Sequence, residues 1–140
     1  MNYHLLHKMK LSKNSKIPSS PGWKNIRNLS KTIKPSDKYN IGIVTGAINN
    51  LLVLDVDVKD EGLIEFNKYI AEYGNIDTVV VATPSGGFHY YFNYTSQNID
   101  DNYLIEHSLV TKNKYRNKGL DIRSNGGYVV GPPSIIDNSV

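Results

Sequence analysis

Leu51-Leu52-Val53-Leu54-Asp55-Val56-Asp57-Val58 is the stretch on which the reading of this chain turns. Its β-branched and aliphatic residues make it the best strand in the sequence. Side chains on a strand alternate between faces, so Leu52, Leu54 and Val56 point one way and Asp55 and Asp57 the other. The two carboxylates then stand about 6–7 Å apart on one face. With an effective dielectric near 20, their repulsion is about 2.5 kcal/mol. Two readings are open. Both acids sit at a strand end facing solvent, or a divalent cation lies between their oxygens. Hard oxygen ligands favour Mg²⁺ or Mn²⁺. An Asp-x-Asp pair also serves many unrelated enzymes, glycosyltransferases among them.

Working outward, Ile41 to Val44 reads as a strand entering a Thr45-Gly46 turn. Asp60 is placed to cap a helix that runs to about Tyr73 and stops at Gly74, with Leu63, Ile64, Phe66 and Ile70 as its inner face. Residues 77–83 and 88–92 are strands joined by the turn Pro84-Ser85-Gly86-Gly87, a hairpin. Residues 119–123 and 127–131 are two further short strands around Ser124-Asn125-Gly126, and the same reasoning predicts a second hairpin. Pro132-Pro133 ends the last strand. Upstream, Ile26, Leu29 and Ile33 have helical spacing, which predicts a short helix over 24–34. Residues 1–23 lack periodicity and read as a partly ordered arm. Residues 93–118 are polar, with a short helix expected near 102–109. The sum is an α+β domain of six strands, with no internal repeat.

The chain has 140 residues, 39% of them hydrophobic and 21% charged, the balance of one globular domain. Its longest fully apolar runs, Leu51–Leu54 and Val79–Ala82, are four residues each, against roughly 20 for a bilayer span. No membrane partner and no secretory leader is expected, and an intracellular location is the default. There are no cysteines, so disulfides, iron–sulfur clusters and cysteine zinc sites are excluded. The net charge of +3 hides an asymmetry. Residues 1–38 carry nine Lys/Arg and one acid, and residues 39–140 carry seven against twelve acids. A basic segment ahead of an acidic body suits a polyanion such as nucleic acid, and equally suits a solvated basic tail.

Two more segments carry candidate chemistry. In Thr83-Pro84-Ser85-Gly86-Gly87-Phe88-His89 the two glycines expose backbone N–H groups suited to an anion, and Ser85 adds a hydroxyl. His89 shares a strand face with Tyr91, opposite Phe88, Tyr90 and Phe92. The bland alternative is an ordinary glycine-rich hairpin beside a buried histidine. In Gly119-Leu120-Asp121-Ile122-Arg123, Asp121 and Arg123 share a face. Either they form an intrastrand ion pair worth less than about 1 kcal/mol, or Asp121 is a third metal ligand and Arg123 a phosphate or base contact.

Taken together and in order, these segments resemble the bifunctional primase/polymerase (Prim-Pol) domain of the archaeo-eukaryotic primase superfamily, found in plasmid, phage and large-DNA-virus replication proteins. The matching stretches are KIP…GW at 16–23, NIGIVTG at 40–46, LLVLDVD at 51–57, TPSGGFHYYF at 83–92 and GLDIRSNGGYVVGPPS at 119–134. The resemblance implies the primase α+β fold with an RRM-like sheet, a basic arm over 1–15 and a catalytic domain over 16–140, shortened at its C-terminal end. It implies that Asp55, Asp57 and Asp121 hold Mg²⁺ or Mn²⁺, and that His89 and Ser85, with the Gly86-Gly87 turn nearby, contact the incoming nucleotide. Arg123, already a candidate phosphate or base contact from its own strand, is counted with these nucleotide contacts. The activity implied is template-directed nucleotidyl transfer, in priming or DNA polymerisation. Substrates would be DNA template, primer and nucleoside triphosphates, with a separate replicative helicase as a further partner.

The basic segments, including Lys16, Lys24, Lys112, Lys114 and Arg116, are the candidates for tracking template phosphates. Tyr90, Tyr91 and Tyr128 are candidates for base stacking, with core packing the competing role. Two other functions stay open: an inactive nucleic-acid-binding remnant of such a domain, and a metal-dependent transferase or nuclease that uses the Asp pair differently.

Overall fold

The computed structural model describes residues 2–58, 61–94 and 119–136. Within them the order is β1 (Lys8–Ser12), β2 (Tyr39–Val44), β3 (Leu51–Val56), α1 (Gly62–Tyr73), β4 (Val79–Ala82), β5 (Phe88–Asn93), β6 (Leu120–Arg123) and β7 (Tyr128–Gly131). All strand pairings are antiparallel. One sheet has the order β1-β2-β7 and the other β4-β5-β3-β6. The domain is therefore α+β, as its sequence predicts.

The alternation of β3 sets the layers. Leu51 and Val53, on the face of Asp55, are wholly buried against Ile43 of β2, Val129 of β7 and Tyr91 of β5. That cluster is the contact between the two sheets. The opposite face of the four-stranded sheet meets α1, where the rings of Phe66 and Tyr90 lie 4.7 Å apart. Ile64, expected on the inner face of α1, is exposed. It is two residues from Phe66, about 200° around the helix. Gly74 ends α1 as expected, its N–H donating to Ile70 O at 2.8 Å. Asp60, the expected cap, lies outside the described residues, and Glu61 occupies the N-cap position without a side-chain capping bond. Gly62 has no room for a side chain. An added Cβ would overlap Asp57 O and stand 2.6 Å from Gly119 O, so α1 begins directly against the end of β3 and the start of β6.

Three expectations need correction. First, β6 and β7 do not form a hairpin: β6 pairs with β3 and β7 with β2, in different sheets. The linker between them is held by the linker between β2 and β3. Thr45 Oγ1 donates to Ser124 O at 2.5 Å, Thr45 N–H to Gly127 O at 3.0 Å and Ala47 N–H to Asn125 Oδ1 at 2.7 Å. Gly46, at φ +96°, lets the two linkers touch, because a Cβ there would stand 2.6 Å from the Asn125 Cα. Second, residues 24–34 form no α-helix. A single 3-10 turn, Ile26–Asn28, gives way to extended chain, and Ser30 exchanges both backbone hydrogen bonds with Lys8. Pairing to β1 satisfies the backbone groups that the helix would have satisfied.

Third, the region read as an arm contributes β1 to the sheet. Leu6, Met9 and Leu11 are buried in the core. Lys8 is buried too, at 2% exposure. Its Nζ donates to Leu6 O at 2.9 Å and Lys31 O at 3.0 Å and lies 4.9 Å from the centre of the Tyr3 ring. Burial pulls this ammonium below the usual lysine pKa.

Tyr91 gives a test of the inter-sheet core. Its hydroxyl is buried without a hydrogen-bond partner among the described residues, and burial, reinforced by Tyr3, pushes the phenol well above its ordinary value of 10. The folded state thus keeps a proton that the unfolded chain releases, so stability is full below pH 10 and declines above it. Tyr91→Phe removes an unpaired hydroxyl. It is expected to leave stability at neutral pH equal or higher by up to about 1 kcal/mol, and to flatten the alkaline decline. Urea unfolding at neutral pH and above pH 10 measures both effects.

Candidate active site

Asp55 sits on the central strand with a neighbour on each side. Across the β3–β5 pair its register partner is His89, and across the β3–β6 pair it is Asp121. Directly opposed residues carry their Cβ atoms about 4.5–5.5 Å apart on one face, so the three side chains form a row across the sheet. His89 Nε2 lies 3.4 Å from Asp55 Oδ1, and Asp121 Oδ2 lies 3.3 Å from the Arg123 guanidinium. Among the described residues, His89 Nδ1 and Asp121 Oδ1 are buried without hydrogen-bond partners. The ion-pair reading of Asp121 and Arg123 is realised, with Arg123 partly exposed. Asp57 follows the last residue of β3, tied to β6 by its N–H donating to Gly119 O at 2.8 Å.

The turn between β4 and β5 stands at the same end of the sheet. Gly86 N–H donates to Thr83 O at 3.0 Å, Gly87 N–H to Thr83 Oγ1 at 3.1 Å, and Thr83 N–H to Gly87 O at 2.9 Å. The two glycine N–H groups expected to cradle an anion are thus engaged inside the turn. What the turn presents outward is the exposed Ser85, whose hydroxyl is 3.3 Å from Thr83 Oγ1.

A cleft of about 330 Å³ opens here between the two sheets. Asp55, Asp57, Ser85 and His89 line one side, and Lys16 and the Gly131–Ser134 segment line the other. Ser134 holds that wall by accepting from Ile41 N–H at 3.0 Å and donating to Gly131 O at 2.5 Å. Lys16 is placed by Tyr128, whose hydroxyl donates to Lys16 O at 2.7 Å. This cleft-lining role went unread in the sequence, although the KIP…GW stretch was visible. Asp121 lies beside Asp55 but does not line the cleft. Lys24 lies over the Trp23 ring at 5.5 Å, away from the cleft. Lys112, Lys114 and Arg116 lie outside the described residues. Of the candidate stacking rings, Tyr91 is core, Tyr90 packs on Phe66 and Tyr128 packs edge-on against Trp23 at 5.1 Å.

Hard oxygen donors in a row, one with an orphaned buried carboxylate oxygen, suit a divalent cation chemically. Among the described residues, however, no group of three or more His, Asp or Glu side chains converges tightly enough to hold one. Asp55 is engaged by His89 and Asp121 by Arg123.

A family model, that of the bifunctional DNA primase/polymerase N-terminal domain, matches residues 7–140. The chain belongs to the Prim-Pol family. The match spans Lys16, β3, the Thr83–Gly87 turn and β6, so every element of the cleft is part of the Prim-Pol domain. It begins one residue before β1, which agrees with β1 being built into the sheet. No curated protein matches the sequence. No helix among the described residues is long and apolar enough to cross a membrane.

Thr83 closes the turn through both its backbone and its hydroxyl, and Gly87 is buried. Thr83→Val keeps the shape and removes the bond to Gly87 N–H. A loss of about 1–2 kcal/mol in unfolding free energy is expected, measured by urea titration.

Proposed function

We propose that this domain catalyses template-directed nucleotidyl transfer, in primer synthesis and DNA polymerisation. The observation that carries the reading is Asp55, flanked by His89 and Asp121 on adjacent strands and facing a cleft that also holds Asp57, Ser85 and Lys16. The chemistry asks for little covalent work from the protein and much positioning and charge neutralisation. Asp55, Asp57 and Asp121 would hold the divalent cation, Mg²⁺ or Mn²⁺, which when bound lowers the pKa of an attacking hydroxyl and neutralises charge on the triphosphate. His89 Nε2 stands beside Asp55, where its N–H either braces that carboxylate or donates to a phosphate oxygen. Lys16 and Ser85, from opposite walls, supply an ammonium and a hydroxyl to the triphosphate. Arg123 restrains Asp121 in the absence of cation.

A second reading, a DNA-binding domain without turnover, is favoured by the lack of a converged ligand trio among the described residues. Primer-extension and de novo priming assays with Mn²⁺ or Mg²⁺ separate the two. Synthesis is expected from the natural chain and should fall at least about a hundredfold in Asp55→Ala and in Asp121→Ala. DNA binding with no synthesis in any condition supports the second reading, and strand cleavage in place of extension rejects both.

The cation is tested without turnover by thermal melting. A ligand that binds only the folded state, at about 100 times its dissociation constant, adds about 2.7 kcal/mol. Mn²⁺ is expected to raise the melting temperature of the natural chain, chelator to reverse the rise, and Asp55→Ala to abolish it. Equal shifts in the chain and the variant would reject Asp55 as a ligand.

A further inference from the structure

A second concavity lies at the outer edge of β1, apart from Asp55. One edge of β1 pairs with β2. Along the other the chain returns twice, at Pro18–Ser19 and at Ser30, each return hydrogen-bonded to β1. A groove of about 610 Å³ opens there. Its walls include Lys10, Lys34, Trp23, Tyr39, Ser30 and Thr32, and among the described residues no acidic side chain lines it. The only acid ahead of Asp55 in the whole chain is Asp37. Cations stand beside both rings: Lys10 Nζ lies 4.6 Å from the Tyr39 ring centre, and Lys24, outside the groove wall, has its Nζ 5.5 Å from that of Trp23.

We propose that this groove binds single-stranded nucleic acid, with phosphates on Lys10 and Lys34 and bases against Trp23 and Tyr39. Ammonium groups supply the sequence-independent attraction to a polyanion. Ring faces supply base stacking, which any base satisfies. Duplex DNA has its bases already stacked on one another, so the rings select for a single strand. An acidic peptide would meet the charge but leave the rings unused. The groove is also connected to the cleft. Lys16 lines the cleft while Ser19, Ser20 and Trp23 line the groove, and Tyr128 touches both by packing on Trp23 and bonding Lys16 O. A strand held in the groove is thereby led toward Asp55 and Asp57. The proposal rests on the reading of the chain as one that handles DNA, but its test reads binding alone, so absence of synthesis leaves it standing.

Trp23 is the only tryptophan in the chain, so its emission reports this groove. A thymidine oligonucleotide titrated in chelator-containing buffer is expected to quench that emission saturably, more weakly as salt rises. Lys10 and Lys34 are exposed, so Lys10→Gln with Lys34→Gln should keep the natural unfolding midpoint. In that double variant the slope of log Kobs against log[salt] should fall by about 1.4, roughly 0.7 per lost contact. The proposal is overturned if the oligonucleotide binds by fluorescence anisotropy without quenching. It is overturned equally if duplex DNA or phosphatidylserine vesicles quench as strongly, or if the folded double variant keeps the natural salt slope.

Discussion

β3 is hydrogen-bonded along both edges, and the rest of the site depends on that. A strand with antiparallel neighbours on both sides has each of its side chains flanked by two others at the same level. At Val53 the neighbours are Tyr91 and Arg123, and at Asp55 they are His89 and Asp121. Within two residues the same face passes from dry inter-sheet core to polar cleft. An acid placed one step earlier would be buried among Ile43, Val129 and Tyr91 at a cost of several kcal/mol. At position 55 it meets an imidazole on one side and, on the other, an acid restrained by a guanidinium.

The cleft exists because the chain changes sheet twice at one place. β2 and β7 belong to one layer, β3 and β6 to the other, and the two connections lock through Thr45, Ser124, Asn125 and Gly127. Thr45 and Ser124 are both buried, so their hydrogen bonds form away from water, where leaving them unmade is costly. The lock sets the Gly131–Ser134 wall opposite the Thr83–Gly87 turn. It thereby gives Asp55 and Asp57 an enclosed space to face.

Charge follows the same geometry. The basic first 38 residues are not a tail swinging in solvent. They wrap the three-stranded sheet, with Lys8 inside the core, Lys16 at the cleft, Lys10 and Lys34 on an aromatic groove and Lys24 over the Trp23 ring. Asp55, Asp57 and Asp121 lie on or at the end of strands of the other sheet. Both sides of this division fall within the stretch that matches the Prim-Pol family.

Much of this was legible without coordinates. The alternation in Leu51 to Asp57, the Pro-Ser-Gly-Gly turn and the Asp-x-Arg pair each depend on neighbours within a few residues, and strand periodicity and turn chemistry are local physics. They sufficed for β2 to β7, for α1, for the face shared by Asp55 and Asp57, and for the family. Local physics could not show that β6 and β7 part company, because strand partners are chosen by buried hydrogen bonds and core contacts from residues some 80 positions away, such as Thr45. It could not show β1 either, since Lys8 and Lys10 interrupt its apolar residues, and Lys8 is buried only through partners supplied by Leu6 O, Lys31 O and the Tyr3 ring. Whether Asp121 would stand next to Asp55, and whether Lys16 would reach the cleft, were questions of register and layer packing. Those are settled only when segments distant along the chain compete for the same apolar surface.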